Sequence, residues 1–138
     1  MARGSFVAAG DIRPSRFVKL STVAGATGKV LQAGATDNVI GVSQQGTRNP
    51  AYSSLDDGFA AIAGENVRVY TAADPEDMPY IEVDAAYPQG TLLKPSTNGI
   101  ATATVTNLDI AGAILMEAST AANQLVQCRV IAPYNLST

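Results

Sequence analysis

The sequence predicts an all-β protein: a small β-barrel or β-sandwich knob with an extended N-terminal arm and at most one short helix. Three observations predict it. Long helical periodicity is missing from the 138 residues. Short β-branched runs recur instead, punctuated by Gly, Asn, Asp or Pro. Where a run is long enough to show a period, that period is two, the repeat of a strand with one face buried.

The elements follow in order. Phe17–Ser21 and Lys29–Gln32 are strands separated by the turn signal Thr27-Gly28, and Val39–Val42 is a third. Gln44–Leu55, with Arg48-Asn49-Pro50 and Ser53-Ser54, has no period and reads as a long surface loop, a kind of segment that often carries a binding function. Asp57 could cap a short helix through Phe59–Ala63 with Gly64 as its terminator, or the same residues could form a strand leading into the turn Gly64-Glu65-Asn66. Both readings stand at this point. In Val67–Thr71 the valines alternate with Arg68 and Tyr70. Tyr80–Val83, Thr91–Lys94, Ile100–Thr104 and Ala111–Met116 are further strands, with Asn98-Gly99 the strongest hairpin cue in the chain. The last run, Leu125–Ile131, puts Val126, Cys128 and Val130 on one face and Gln127 and Arg129 on the other.

An internal duplication runs through this pattern. Gly28-Lys29-Val30-Leu31 leads, thirteen residues after its glycine, to Gly41 in Ile40-Gly41-Val42; Gly99-Ile100-Ala101-Thr102 leads at the same spacing to Gly112 in Ala111-Gly112-Ala113. Each copy follows a lysine-bearing strand, Val18-Lys19-Leu20 and Leu93-Lys94-Pro95. Glycine opening a strand permits a bulge or a close backbone approach. Two such units closing on each other would make a small barrel or sandwich.

Composition narrows the function. There is no histidine and one cysteine, so Ser-His-Asp and Cys-His arrangements and the ordinary zinc sites cannot be built. Cys128 cannot form an internal disulfide and reads as a small buried hydrophobe. No apolar stretch approaches the ~20 residues of a spanning helix, and no signal peptide is visible; the expectation is a soluble chain of intracellular origin. The net charge is −3. Through position 29 there are five basic residues against Asp11 alone, whereas Asp56 to Asp84 holds eight carboxylates against Arg68. An acidic chain without a broad basic footprint argues against nucleic-acid binding. The basic N-terminus reads as a solvated face or as an arm docking on an acidic protein surface.

Three further constellations have a structural reading beside a chemical one. Glu82 and Asp84 lie two apart in a strand, a spacing that places both carboxylates on one face, either as a solvated edge or as a catalytic pair. Asp74-Pro75-Glu76-Asp77 has oxygen ligands but no EF-hand spacing and reads as an acidic turn. Gly25-Ala26-Thr27-Gly28-Lys29 is too short for a phosphate cradle.

The order of phrases carries a resemblance. Gly10-Asp11-Ile12 precedes Phe17-Val18-Lys19-Leu20, then Asp37-Asn38-Val39-Ile40-Gly41-Val42, Gly64-Glu65-Asn66-Val67-Arg68-Val69 and Pro88-Gln89-Gly90-Thr91-Leu92-Leu93. Gly99-Ile100-Ala101-Thr102, Ala111-Gly112-Ala113-Ile114 and a valine-rich last strand close the series. In this order and spacing the chain resembles the head-decoration, or cement, proteins of tailed bacteriophages, from which it departs by a longer insertion, Gln44–Phe59.

The resemblance implies a non-enzymatic β-rich knob, usually trimeric. It would be made in the host cytoplasm and would sit on the outer surface of the virion capsid between major capsid subunits, stabilising the expanded shell. It implies no cofactor, metal, nucleic acid, membrane or small-molecule substrate. It divides the chain into an arm, 1–16, a knob, 17–132, and a tail, 133–138. Arg3, Phe6, Arg13 and Arg16 become the expected shell contacts, and Tyr52, Phe59 and Tyr134 the expected subunit contacts. Two alternatives are another β-rich virion part, a spike or tail-tube subunit, and a small enzyme working through Glu82 and Asp84.

Overall fold

In a computed structural model the described residues are 5–21, 28–35, 37, 39–48, 58–73, 78–103 and 110–135. They form ten strands: β1 (Ser5–Ala8), β2 (Phe17–Leu20), β3 (Lys29–Gln32), β4 (Gly41–Ser43), β5 (Asn66–Thr71), β6 (Tyr80–Val83), β7 (Leu92–Pro95), β8 (Ala101–Ala103), β9 (Ile110–Leu115) and β10 (Gln124–Asn135). A single 3-10 turn, Thr97–Gly99, is the only helical element among the described residues.

The strands close into two five-stranded barrels, ordered β1-β3-β2-β4-β5 and β6-β8-β7-β9-β10. The two orders are the same order. In each, the first and third strands run parallel and the other four pairings are antiparallel. Closure abolishes sheet edges, which suits strands this short.

The duplication extends to single hydrogen bonds. The Gly64 N–H donates to the Ala8 carbonyl at 2.9 Å, and the Asn123 N–H to that of Val83 at 2.7 Å. Ala60 N–H donates to Ile12 at 2.8 Å, as Ser119 does to Tyr87 at 2.9 Å; Ser15 donates to Gln44 at 3.1 Å, as Gly90 does to Leu115 at 2.8 Å. The left-handed backbone positions repeat as well: Ser15 and Gly90, Gly28 and Gly99, and Gly64 and Asn123 all have positive φ. Each half therefore closes on itself, where the sequence had suggested two units closing on each other.

The expected alternation holds in the longer strands. Val67 and Val69 are buried between exposed Asn66 and Arg68; Val126, Cys128 and Val130 are buried, while Arg129 faces out. Asn98 and Gly99, at φ 62° and 75°, form the positive-φ pair that the Asn-Gly cue predicts. β10 continues past Ile131 through a register shift between Val130 and Tyr134, a segment that contains Pro133. Proline has no N–H to give the ladder and is tolerated at such an irregularity.

One sequence expectation gives way, and one choice left open is decided. Of the expected arm, 1–16, the described residues 5–16 do not stand free: β1 pairs in parallel with β3 and antiparallel with β5, and Ile12, fully buried, bridges to Ala61. Four residues of Ser-Phe-Val-Ala are too few to show a period, yet they complete the first barrel. Phe59–Ala63 is not helical either; Ala61 is extended against Ile12 and the chain turns at Ala63-Gly64, as the strand reading required. Asp57 lies outside the described residues.

The first barrel is filled by Ala8, Ile12, Val18, Val30, Ala60, Ala61, Val67 and Val69. The second is filled by Ile81, Val83, Leu93, Ala101, Ala113, Leu115, Val126, Cys128 and Val130, and its apolar cluster runs on into Phe17, Ala33, Val39 and Val42 of the first barrel. Successive side chains of a strand point to opposite faces. Val18 thus fills its own barrel while Phe17, also fully buried, fills the seam between the two.

Candidate interaction surface

The seam is built from residues far apart in sequence. A Cβ at Gly112 would strike the Val39 side chain and come within 3.3 Å of the Phe17 ring, so only glycine lets Phe17 and Val39 lie against β9. A Cβ at Gly99 would come within 2.9 Å of the Phe17 carbonyl oxygen. Around this apolar contact the Glu82 N–H donates to the Ser15 carbonyl at 3.0 Å. Arg16 Nη2 donates to Glu82 Oε1 at 3.1 Å, and Arg16 Nη1 to the Asn98 carbonyl at 3.0 Å. The Arg16 and Glu82 side chains are only 12% and 20% exposed. The fully buried Ser43 hydroxyl accepts the Arg16 N–H at 3.0 Å and donates to the Arg13 carbonyl at 2.7 Å.

These facts redistribute the expected contact residues. Arg16 is committed to the seam by Glu82 and the Asn98 carbonyl, so its guanidinium is not a free surface cation. Phe6 lies in β1 opposite Val67, half-buried against the first core. Arg13 is exposed, with its guanidinium carbon 4.8 Å from the centre of the Phe59 ring, so an expected shell contact and an expected subunit contact meet each other. Tyr134 pairs with Ala111 in the β9–β10 ladder. Arg3 and Tyr52 lie outside the described residues.

The carboxylate pair is divided. Glu82 answers Arg16 in the seam instead of standing at a solvated edge. Asp84, just past the end of β6, is exposed and accepts the Tyr87 hydroxyl at 2.6 Å. Among the described residues no group of three or more carboxylate or thiol side chains could hold a metal ion; Asp74, Glu76 and Asp77 lie outside them. Gly28 has φ 78° and open space around it, as in a solvent-exposed turn. Burial pushes the Cys128 thiol up to about 12, the behaviour of an inert core residue. Asp37 is held below the ordinary carboxylate range by the Gly34 N–H at 2.7 Å and Lys19 Nζ at 3.0 Å.

Sequence reasoning passed over one surface feature. Leu20, Met78, Tyr80 and Leu125 are large apolar side chains standing 37–50% exposed. Leu125 had a visible signal: it occupies the outward, polar-face position of the alternating run that puts Val126, Cys128 and Val130 inside.

Neither a protein-family model nor a curated protein sequence matches this chain. Among solved structures, the N base of the head fiber protein gp8.5 of bacteriophage phi29 superposes with a TM-score of 0.54 over 97% of this chain and 96% of that one, at 14% identity. At that identity the likeness is one of fold.

Proposed function

We propose that this chain is a non-enzymatic structural component of a phage virion, a cement protein that binds the outer head surface between major capsid subunits and stabilises the expanded shell. The observation that supports it most is the span of the structural likeness: both barrels, nearly end to end, match the base of a head fiber. The order of sequence phrases points to head-decoration proteins independently of that likeness. The two carboxylates that could have formed a catalytic pair are engaged separately, one in the seam and one with Tyr87.

In this reading the outer surface holds the shell. Arg13 remains an exposed candidate, able to fork onto shell carboxylates. A single wet pair is worth only about 0–1 kcal/mol. Retention on a head therefore draws on many contacts and on several copies acting together; a trimer engaging neighbouring sites gains roughly 10²–10⁴ in avidity. A second reading, favoured by the kind of protein the neighbour is, makes the chain the base of a spike or fibre.

The test is to add the purified chain to expanded heads that lack it and to image them by electron microscopy. Saturable density at the junctions between capsid subunits, with greater resistance of the heads to heating, is the expected result. Density continuing outward into a shaft on the native particle would favour the fibre base. Heads that bind no chain at all would end the virion reading. Removal of residues 1–10 is not a usable arm test, because it removes β1 and opens the first barrel.

A further inference from the structure

Asn98 is the one asparagine of the chain that precedes a glycine, and the seam explains why that pair stands there. A glycine is required at 99: its φ is 75°, and a Cβ would come within 2.9 Å of the Phe17 carbonyl oxygen. Asn98 has φ 62° and ψ 23°, a left-handed conformation that asparagine tolerates better than most residues. The same pair is chemically labile. Asparagine is a thermolabile residue, and with no side chain on its neighbour the Gly99 nitrogen can reach the Asn98 side-chain amide unhindered.

The fold holds the pair unreactive. Ring closure needs the Gly99 nitrogen on the side of the Cα–C bond that carries the Asn98 side chain, and at ψ 23° it is turned away from Cβ. Three hydrogen bonds keep it there. The Gly99 N–H donates to the Ser96 carbonyl at 3.1 Å, the Ser96 N–H to the Ile100 carbonyl at 2.8 Å, and Arg16 Nη1 to the Asn98 carbonyl at 3.0 Å. The first also retains the proton that the nitrogen must lose. The last comes from the other barrel, so rotation about this bond depends on the seam. Asn98 itself is exposed, which gives water access to it.

We propose that Asn98 is a modification site gated by the seam. When the barrels part, the Gly99 nitrogen gives up its proton and attacks the side-chain carbonyl carbon of Asn98. A C–N bond forms, the bond to the amide nitrogen breaks, and ammonia leaves with the proton. Water then adds to either carbonyl of the cyclic imide and breaks its bond to nitrogen, leaving aspartate or isoaspartate. Either product puts a new carboxylate on the residue that binds Arg16, whose charge Glu82 already answers. Isoaspartate also lengthens the backbone by one methylene where Gly99 has no room for a single extra carbon. The change runs one way, so a seam that has opened long enough to react does not close again as before.

The full chain is incubated in mildly alkaline buffer, native and in denaturant, and Asn98 is followed by peptide mass spectrometry. In denaturant it converts well ahead of Asn66 and Asn123, which precede valine and glutamine. In the native chain it converts at least about tenfold more slowly, the scale set by breaking a few hydrogen bonds of ordinary net strength. Arg16→Ala, which releases the Asn98 carbonyl, speeds the native reaction. Arg16→Lys, which keeps a charge for Glu82 but has no fork to reach both acceptors, does the same if Arg16→Ala does not fold. The modified fraction, separated by ion exchange for its added negative charge, has a lower Tm than the unmodified fraction of the same sample. A native rate equal to that in denaturant, a native rate that neither Arg16 variant changes, or a modified fraction as stable as the unmodified one overturns the inference. None of these arms needs a head, so their failure is separate from failure of the virion reading.

Discussion

Replacing Ser15 with glycine should stabilise the protein. Ser15 sits at φ 56°, a left-handed conformation that costs a residue with a Cβ about 1–2 kcal/mol. Its side chain is also 2% exposed with a hydroxyl that finds no partner, a penalty of about 1–3 kcal/mol. Glycine removes both, and gives back about 0.5–1 kcal/mol through the greater freedom of the unfolded chain. The net gain is about 1–4 kcal/mol, and the lower part of that range is the expectation. With an unfolding entropy of about 2.1 cal/mol/K per residue, 1.5 kcal/mol in a chain of this size raises Tm by about 5 °C. The equivalent position in the second barrel is already glycine, Gly90 at φ 90°, with open space where a Cβ would go. Gly90→Ala therefore isolates the backbone cost and should lower Tm by about 2–3 °C. Ser15→Ala, which relieves only the hydroxyl, should fall between wild type and Ser15→Gly. Thermal melts followed by circular dichroism and calorimetry measure all three. A Ser15→Gly protein no more stable than wild type, beside a Gly90→Ala protein that melts unchanged, would refute the reasoning.

Other expectations follow from the seam and the titrating groups. Arg16→Ala should cost about 2 kcal/mol by leaving Glu82 half-buried without its cation, and a double-mutant cycle with Glu82→Gln should show strong coupling between the two. Gly99→Ala should destabilise clearly more than Gly28→Ala in chemical denaturation: both glycines have positive φ, but only at Gly99 does a Cβ meet the neighbouring barrel. Asp37 has a lowered folded-state pKa, so its contribution is present above its unfolded value near 3.8 and is lost as pH falls through the folded value; the loss of stability on acidification should be shallower in Asp37→Asn. Cys128, raised to about 12, should resist a thiol reagent at pH 8 in the folded protein and react fully in denaturant.

What was legible in the sequence was local. Period-two alternation located β5 and β10 and assigned their faces, and Asn98-Gly99 marked its turn. The two glycine-spaced phrases showed the duplication because backbone positions that need a positive φ or a missing Cβ restrict residue choice strongly. What was not legible was long-range. β1 is four residues with no turn chemistry before it, and only its partners on β3 and β5 make it a strand. Arg16 looked like one more basic residue of a leading segment, since its partners Glu82 and Asn98 come near only when two barrels meet. Phe59–Ala63 is short and small-residue-rich, so propensity could not choose between helix and strand; the bridge to Ile12 chose.

Adjacent residues Phe17 and Val18 belong to different hydrophobic cores. One peptide bond therefore joins the interiors of both halves, leaving no flexible linker at that point. Loosening either half withdraws a wall from the other, so heating should yield one calorimetric transition, not two. A knob of this construction would pass a load between its halves as a rigid block, the property that the proposed seat on a phage head would call for.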